Sequence, residues 1–302
     1  MKTLILVDYS HALNRFFYGY SQRPDAYVLK DGEKVFIGSL LGFTSLVEKI
    51  TNKYPEAKII FCMDGKAEKK ELNEDYKAGR DNSKKEQIYS DDSIIVNILS
   101  HIKNVCFAKN KIKEADDLIA NIAFKFKDKF DEIVIYSGDK DFIQLSTDFK
   151  ISNEFDKGFK FVTDNIIFEK FGVSAKSLLP FRVLEGDKSD NIPSPVPYTK
   201  SEFRKVLAEM WNPLTEEHLV NCLELLKGTQ YDKSAEKHLL ATDKIMNNLA
   251  LMDLRKYANQ ELRFEYELFK CNKPDLSLVN YFGLRKYESF LYDYLKGNKV
   301  NV

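Results

Sequence analysis

The sequence has few histidines, few cysteines and no net charge. Four histidines and four cysteines stand among 302 residues, and no two cysteines form a CxxC pair. A zinc framework or a disulfide scaffold is therefore not expected, and Cys62, Cys106, Cys222 and Cys271 are predicted to be free thiols of a reducing cytoplasm. Because 46 basic residues balance 46 acidic ones, the total charge gives no argument for a nucleic-acid partner.

Long apolar runs are also missing. No stretch reaches the ~20 residues that a membrane-spanning helix requires. The apolar run at the N-terminus stops at Asp8 without a small-residue cleavage site after it, so it is interpreted as a first β-strand and not as a signal peptide. The composition, with 44% hydrophobic and 30% charged residues, predicts a soluble globular chain.

Short apolar runs alternate with helical patterns in the first half of the chain. Strands are predicted at residues 3–7, 59–63, 105–108 and 133–136, and amphipathic helices at residues 39–52 and 115–126. Such alternation predicts an α/β fold in which helices cover both faces of a parallel central sheet.

From about Thr163 onward the patterns are helical only. They cover residues 164–171, 175–184, 200–210, 216–226 and 234–251, and a proline-rich link (IPSPVPY, residues 192–198) interrupts them. We therefore divide the chain into an α/β core, residues 1–162, and a wholly helical region, residues 163–302. Near the C-terminus, residues 248–256 and 285–294 are interpreted as packing helices, with a docking site for a replication partner as the alternative.

Acidic residues follow the predicted strands at one end. Asp8 ends the first strand, Asp64 ends the second, and Asp139 and Asp141 (in SGDKD) follow the fourth. The carboxyl ends of parallel strands share one edge of the sheet, where ligands of such folds bind. One such acid alone is commonly a helix N-cap, but together they predict a shared site. Five further acids, in the motifs EADD and GDKSD, are Glu114, Asp116, Asp117, Asp187 and Asp190.

Convergent carboxylates require cations. Two carboxylates ~4 Å apart repel by ~4 kcal/mol at an effective dielectric constant near 20. Ligand sets made only of oxygen suit Mg²⁺ or Mn²⁺ and argue against zinc. Two or more Mg²⁺ ions, for which Mn²⁺ can substitute, would stabilise both the attacking and the leaving oxygen of a phosphodiester. The acids therefore predict metal-dependent phosphodiester hydrolysis.

The segment 65–87 is densely charged and contains almost no large apolar residue. Without other context such a segment is interpreted as a solvated surface helix or loop. The alternative interpretation is a mobile arch over the strand ends that grips a polyanion.

Six motifs resemble the flap endonuclease/5′-3′ exonuclease family, which includes the 5′-nuclease domain of bacterial DNA polymerase I and phage exonuclease and RNase H proteins. The motifs are LILVDYSHAL (4–13), IIFCMDG (59–65), DYKAGR (75–80), EADDLIA (114–120), YSGDKDFIQL (136–145) and LEGDKSDNIP (184–193). They stand in the family's order and spacing over about two thirds of the chain. The chain length is most similar to that of the stand-alone phage members.

The resemblance implies roles for these acids and for two basic residues. It implies that Asp8, Asp64, Glu114 and Asp116 form one part of the acidic site, and that Asp117, Asp139, Asp141, Asp187 and Asp190 form the rest. A metal-bound water would attack the phosphodiester and leave a 5′-phosphate and a 3′-hydroxyl. Lys77 and Arg80 match the family's YKxxR motif at the base of a helical arch, residues 65–90. There they are expected to contact the scissile phosphate, and they complete a predicted catalytic set with Asp8, Asp64, Glu114, Asp116, Asp139 and Asp141.

Other residues of the arch are predicted to contact nucleic acid. Tyr76 is expected either to stack on a base or to pack the arch onto the sheet. The predicted phosphate contacts, which make binding salt-dependent, are Lys66, Lys69, Lys70, Lys84 and Lys85.

The resemblance fails after the DNIP motif, where many members carry a glycine-rich hairpin that holds the duplex and a potassium ion. Here the stretch is SPVPYTK, which has no glycine, and its prolines lack N–H donors. We therefore interpret residues 185–211 as a degenerate helix–hairpin–helix and do not expect a potassium site. Duplex contact is assigned instead to Lys188, Lys200, Arg204 and Lys205.

The predicted function is a structure-specific 5′-3′ exonuclease or flap endonuclease. Its substrate would be DNA or an RNA–DNA duplex with a 5′ end or flap, and primer removal by a monomer in the cytoplasm (of the host, if a phage encodes the chain) is the expected role. A sliding clamp and a single-strand-binding protein are candidate partners. The sequence ranks neither exonuclease against flap endonuclease nor DNA against RNA.

Three other functions fit the sequence less well. A single-stranded RNase of the PIN-like type is disfavoured because those smaller domains lack both the arch and GDKSDN. A non-catalytic nucleic-acid-binding module is expected to lose several acids, and none is lost here. An aspartyl phosphatase is disfavoured because Ser10 occupies the second position of the DxD spacing.

Overall fold

The computed structural model describes residues 1–30, 32–66, 68–72, 74–78, 83–152 and 161–270, and the side chains of Lys30, Lys70 and Leu72 are not described. Strands are β1 (Thr3–Asp8), β2 (Tyr27–Lys30), β3 (Glu33–Phe36), β4 (Lys58–Met63), β5 (Val105–Lys109), β6 (Glu132–Tyr136), β7 (Lys150–Ser152) and β8 (Glu267–Phe269). Helices of the first half are α1 (Tyr9–Tyr20), α2 (Gly38–Lys53), α3 (Lys69–Leu72), α4 (Lys85–Ile88), α5 (Asp92–Ser100) and α6 (Ala115–Phe126). The remaining helices are α7 (Asp164–Phe171), α8 (Leu178–Glu185), α9 (Ser201–Met210), α10 (Glu216–Leu226), α11 (Asp232–Leu239) and α12 (Thr242–Met252).

The central sheet has six strands in the order β7-β6-β1-β4-β5-β8. Strands β7 through β5 are parallel, and β8 pairs antiparallel with β5. The chain leaves β1 towards β4 and β5, and later returns to the other side of β1 with β6 and β7. The strand order therefore reverses between β1 and β6, where parallel α/β sheets form their binding crevice.

Helices cover both faces of this sheet, as predicted. On one face, α1, α2 and α5 pack on β1, β4 and β5, and Tyr9 stacks on Phe43 with ring centroids 5.0 Å apart. The other face packs on α6 and the 3₁₀ helix Arg255–Ala258, with Leu118 and Tyr257 in the contact. Because both faces are covered, every residue of β1 is buried, which explains why the strand contains the continuous apolar run LILV.

A separate apolar core joins the C-terminal helices. It contains Trp211, Phe203 and Leu223 and includes Ile143 of the 3₁₀ helix Lys140–Leu145, which follows β6. The C-terminal helices thus pack near the carboxyl edge of the sheet. Across the described residues, no helix is long and apolar enough to span a membrane.

The observed secondary structure differs from the predicted one at several elements. Strand β8 interrupts the region predicted to be wholly helical, because it pairs with the backbone of β5, which would otherwise be an open edge. The helix predicted at 234–251 is two helices, since the Thr242 hydroxyl donates to the Leu239 carbonyl, a bond that competes with helix continuation. The hairpin β2–β3 was not predicted. The packing helix predicted at 285–294 lies outside the described residues.

The carboxyl of Asp91 is buried between the N-terminal ends of α2 and α5. Burial raises its pKa to about 7, although Ser39 and the backbone N–H of Leu40 act in the opposite direction. Because the folded pKa exceeds the unfolded value of ~3.9, this group favours folding below pH 4, and the contribution is lost as the pH rises through 7. We expect Asp91→Asn to be more stable than the wild type at pH 8, by on the order of 2 kcal/mol, and to lose this advantage below pH 5. Urea denaturation across this pH range measures the difference, and the exposed control Asp128→Asn is expected to show none.

Candidate metal centre and nucleic-acid interface

Asp8 and Asp64 stand at the carboxyl ends of the neighbouring strands β1 and β4. Asp8 caps α1 by accepting the His11 backbone N–H at 3.0 Å, and it also accepts the Ser137 hydroxyl at 3.2 Å. Burial, followed by the charge of Asp64, raises the pKa of Asp8 to about 7. Asp64 accepts the backbone N–H of Ala115 at 2.8 Å, which ties the end of β4 to the start of α6.

Glu114, Asp116 and Asp117 form the tightest acidic group among the described residues. One carboxylate oxygen from each lies within 4.8 Å of the others. Burial acts to raise the pKa of Asp116, but the ammonium groups of Lys69 and Lys77 hold it at about 2. The pKa of Asp117 is raised by burial and then by the charge of Asp116. We call these three residues the α6 triad.

Lys69, Tyr76 and Lys77 of the predicted arch reach the α6 triad. The Lys77 ammonium lies 2.6 Å from Glu114 Oε1 and 4.0 Å from Asp190 Oδ2. The Tyr76 hydroxyl donates to Glu114 Oε2 at 3.0 Å and to Asp190 at 3.4 Å. Tyr76 is only 2% exposed, so its ring is packed inside this structure and is not presented at the surface. The segment is thereby tied to the acidic edge.

The acids after β6 and in the GDKSD turn form a second group. Asp139 caps the 3₁₀ helix Lys140–Leu145 by accepting the backbone N–H of Asp141 at 2.9 Å. Burial raises the pKa of Asp139, and the charges of Asp116 and Asp190 add to this effect. Asp139 is therefore electrostatically close to both the α6 triad and the GDKSD turn. The structure thus brings the predicted acids from β1, β4, α6, β6 and this turn to one edge.

Arg182 links the second group, and sequence reasoning missed it. Its guanidinium is 2.5 Å from Asp141 Oδ1 and also donates to Asp187 Oδ2. Burial raises the pKa of Asp141 to about 6 despite the Arg182 charge. Burial also acts to raise the pKa of Asp187, but hydrogen bonds from Ser189 and Lys140 and the Arg182 charge hold it low. The available signal was the single charge in the apolar run LLPFRVL.

Both oxygens of Asp187 already accept from protein donors. Oδ1 accepts from Lys140 and Ser189, and Oδ2 accepts from Arg182. The role of Asp187 as a metal ligand stays a prediction. Its observed role is to hold Arg182.

The predicted phosphate contacts divide by exposure. Lys66, Lys84, Lys85, Lys188 and Lys200 are exposed, as such a role requires. Lys69 is buried, with 5% of the residue exposed, and its ammonium lies among the carboxylates of the α6 triad. Arg204 donates to Ser194 Oγ at 3.1 Å and to the Val196 carbonyl at 3.3 Å, so it braces the proline-rich link. Lys205 is half-buried. Arg80 and the side chain of Lys70 lie outside the part of the chain that the structure describes.

Known proteins are similar to this chain over more than half of its length. Residues 3–172 match the family described as 5′-3′ exonuclease, N-terminal resolvase-like domain. The chain is 28% identical over 288 residues to the thermostable DNA polymerase I of Thermus filiformis, covering 95% of this chain and 32% of the polymerase. It is 30% identical over 195 residues to the 5′-3′ exonuclease of Buchnera aphidicola subsp. Schizaphis graminum, covering 64% of this chain and 65% of that protein. The match thus spans under two thirds of either relative.

Solved structures share the fold. The T5 5′-exonuclease with bound zinc superposes with a TM-score of 0.65 at 18% identity, over 85% of this chain and 91% of that one. The bacteriophage T5 D15 flap endonuclease, in complex with DNA and metal ions, superposes with a TM-score of 0.63 at 17% identity, over 97% and 98% of the two chains. The family model matches more than half of the sequence. This chain belongs to the family of the 5′-3′ exonuclease N-terminal domain.

Proposed function

We propose that the chain is a divalent-metal-dependent 5′ nuclease that hydrolyses phosphodiesters at the 5′ ends or flaps of DNA and RNA–DNA duplexes. The observation that carries the proposal is the convergence of carboxylates from five separate elements on the edge where the strand order reverses. Carboxylates held this close favour cations, and a polyanion can approach them only when cations are present. The T5 D15 flap endonuclease, which shares the fold, was solved with DNA and metal ions, and this supports the same ligands here.

The donor set fits a hard divalent cation. The α6 triad offers oxygen atoms only, and the nearest predicted ligands, Asp8, Asp64, Asp139, Asp141 and Asp190, add only carboxylates. An oxygen-only ligand set suits Mg²⁺, for which Mn²⁺ can substitute. Structural zinc sites, in contrast, use nitrogen and sulfur ligands. Two or more ions are proposed because the acids form two groups, the α6 triad and the acids near Asp139.

The side chains of this chain position the substrate. When bound, the divalent cations supply an activated water and neutralise charge on the phosphodiester. Glu114, Asp116, Asp139 and their neighbours would hold the cations at the sheet edge, and the bonds that Asp8 and Asp139 accept from backbone N–H groups fix the orientation of these two side chains. Lys77 lies beside Glu114, and this position supports a proposed role in which its ammonium contacts the scissile phosphate and stabilises developing negative charge. Arg80 is proposed to act with it by the family resemblance.

Primer removal and 5′-end processing in replication are the proposed cellular role, and the relation to DNA polymerase I supports it. The chain is proposed to act as a monomer in the cytoplasm. A sliding clamp or a single-strand-binding protein is a proposed partner. The exposed lysines Lys66, Lys84 and Lys85 of the predicted arch and Lys188 and Lys200 of the C-terminal region are proposed to contact the phosphates of the substrate.

The substrate class is tested by comparing three labelled molecules in Mg²⁺. A 5′-flap duplex, an RNA–DNA duplex with a recessed 5′ end, and a single-stranded RNA of the same length are incubated with the full chain. The proposal expects cleavage near the 5′ junction of the duplexes, with 5′-phosphate and 3′-hydroxyl ends. Cleavage of the single-stranded RNA alone would favour a PIN-like RNase, and binding without cleavage of any substrate would favour a binding module.

Replacement of Lys77 tests the proposed phosphate contact. We expect Lys77→Met to lower the single-turnover cleavage rate by about 10²-fold or more, because one charge-stabilising donor is lost. Divalent-metal binding is expected to stay within a few-fold of the wild type or to tighten, since a positive charge beside Glu114 is removed. Lys103→Met, on an exposed lysine after α5, serves as the matched control. A cleavage rate equal to that of the control would contradict the role of Lys77.

A further inference from the structure

Lys69 is a buried lysine inside the α6 triad. Its ammonium nitrogen is 3.0 Å from Asp116 Oδ2, 3.1 Å from Asp117 Oδ1 and 3.4 Å from Glu114 Oε2. Only 5% of the residue is exposed. A lysine is seldom buried without paired charges, and here three carboxylates surround one ammonium group. Lys69 therefore neutralises part of the negative charge that the triad concentrates.

Lys69 and a divalent cation shared by the triad would compete for the same oxygens and for the space between them. Both oxygens of Glu114 are occupied, Oε2 by Lys69 and Tyr76 and Oε1 by Lys77. Asp116 Oδ1 accepts the backbone N–H of Asp117, and Oδ2 contacts Lys69. A Mg²⁺ ion binds carboxylate oxygens at ~2.1 Å, so an ion shared by the triad would take the space between these oxygens that the ammonium group fills. Like charges in this space also repel.

We propose that the Lys69 ammonium is a tethered counter-cation of the α6 triad and that a divalent cation must displace it in order to bind there. This inference rests on the proposed metal-dependent function. It makes Lys69 a residue that sets the metal affinity of the triad, through competition and not through coordination.

The displacement requires movement of the side chain but not of the preceding backbone. The backbone N–H groups of Gly65, Lys66 and Glu68 donate to the carbonyls of residues 113, 111 and 112, at 2.8, 2.9 and 3.1 Å. These bonds hold the chain that enters α3 against the loop that leads into Glu114. The four-carbon stem of lysine is flexible and can carry its charge away from the triad. A displaced Lys69 stays at the acidic edge, where its charge can meet a phosphate, as the sequence predicted.

Metal titration of the full chain tests the competition. Mn²⁺ binding is measured by titration calorimetry without nucleic acid, for the wild type, Lys69→Met and Lys111→Met. Lys111 is exposed, belongs to the loop before Glu114 and makes no ion pair in the described structure, so it controls for the loss of a nearby charge. Removal of a charge in direct contact with the triad is expected to tighten Mn²⁺ binding by about tenfold, against less than about twofold for Lys111→Met. Equal or weaker binding by Lys69→Met overturns the inference.

A second measurement uses the wild type and does not depend on how a variant folds. An amine-reactive reagent is applied with and without Mn²⁺, and modification of Lys69 is mapped by mass spectrometry. We expect the modification rate of Lys69 to rise at least about fivefold when Mn²⁺ saturates the protein, because the displaced ammonium becomes exposed. An unchanged rate overturns the inference. Because neither assay contains nucleic acid, a chain that binds Mn²⁺ in this way but cleaves nothing would refute the proposed nuclease and leave the competition standing.

Discussion

Asp116→Asn is expected to reduce the rate of 5′-flap cleavage by at least about 10³-fold while the protein stays folded. The substitution keeps the shape of the side chain but removes a negative charge from the α6 triad, so divalent cations that stabilise the transition state are held less well. Asp116 is the triad member whose pKa is about 2, so its carboxylate is ionised throughout the physiological range. Single-turnover cleavage at saturating enzyme measures the loss.

The expected structural cost of Asp116→Asn is small. The repulsion between Asp116 and Asp117 is relieved, while the contact with Lys69 is weakened. The control is Asp128→Asn, which makes the same chemical change at an exposed position just beyond the other end of α6. Cleavage by Asp116→Asn within tenfold of that control would show that the triad is not part of the catalytic centre.

Arg182→Met is expected to destabilise the protein by ~3–5 kcal/mol, the usual cost of removing one partner from a buried ion pair. Arg182 is 6% exposed and pairs with both Asp141 and Asp187. Its loss leaves two carboxylates close together without the guanidinium that joins them, and one of them follows β6 while the other lies in the GDKSD turn. Urea denaturation in the presence of EDTA measures the change without a contribution from metal binding.

The effect of Arg182→Met should depend on divalent cations. If bound cations take over part of the neutralisation, saturating Mg²⁺ is expected to restore some of the lost stability. The control is Lys227→Met, which breaks an exposed pair with Glu224 and is expected to cost less than about 1 kcal/mol. A cost for Arg182→Met as small as for Lys227→Met would contradict the view that this arginine holds the second acidic group together.

The acidic edge could be predicted because two local signals agree. The position of Asp8 and Asp64 directly after apolar runs fixes them at strand ends, and the parallel sheet then brings strand ends together. The EADD motif opens α6, since acidic residues favour a helix N-terminus. These rules act over a few residues, so the sequence displays them directly.

The positively charged side chains inside the site, Lys69 and Arg182, could not be predicted in the same way. Lys69 belongs to a lysine-rich stretch of the sequence in which nothing distinguishes it from Lys66. Only the fold shows that the Lys69 ammonium contacts the α6 triad while Lys66 is exposed. Arg182 lies 41 residues from Asp141 in the chain, and their contact exists only because α8 packs at the end of β6. Strand β8 was missed for a similar reason, since its pairing with β5 is decided by the open edge of a distant strand. Contacts between distant segments depend on packing, which local patterns do not encode.

The central claim is that divalent cations at this carboxyl edge make the chain a 5′ nuclease. The most direct measurement follows cleavage of a 5′-labelled flap duplex by the wild type as Mg²⁺ is titrated, and then as EDTA is added in excess. The proposed function predicts release of a short 5′-labelled fragment that rises with Mg²⁺, stops with EDTA and returns when Mg²⁺ is restored. Undiminished cleavage in EDTA, or none at any Mg²⁺ or Mn²⁺ concentration by a folded protein that binds the duplex, would contradict it.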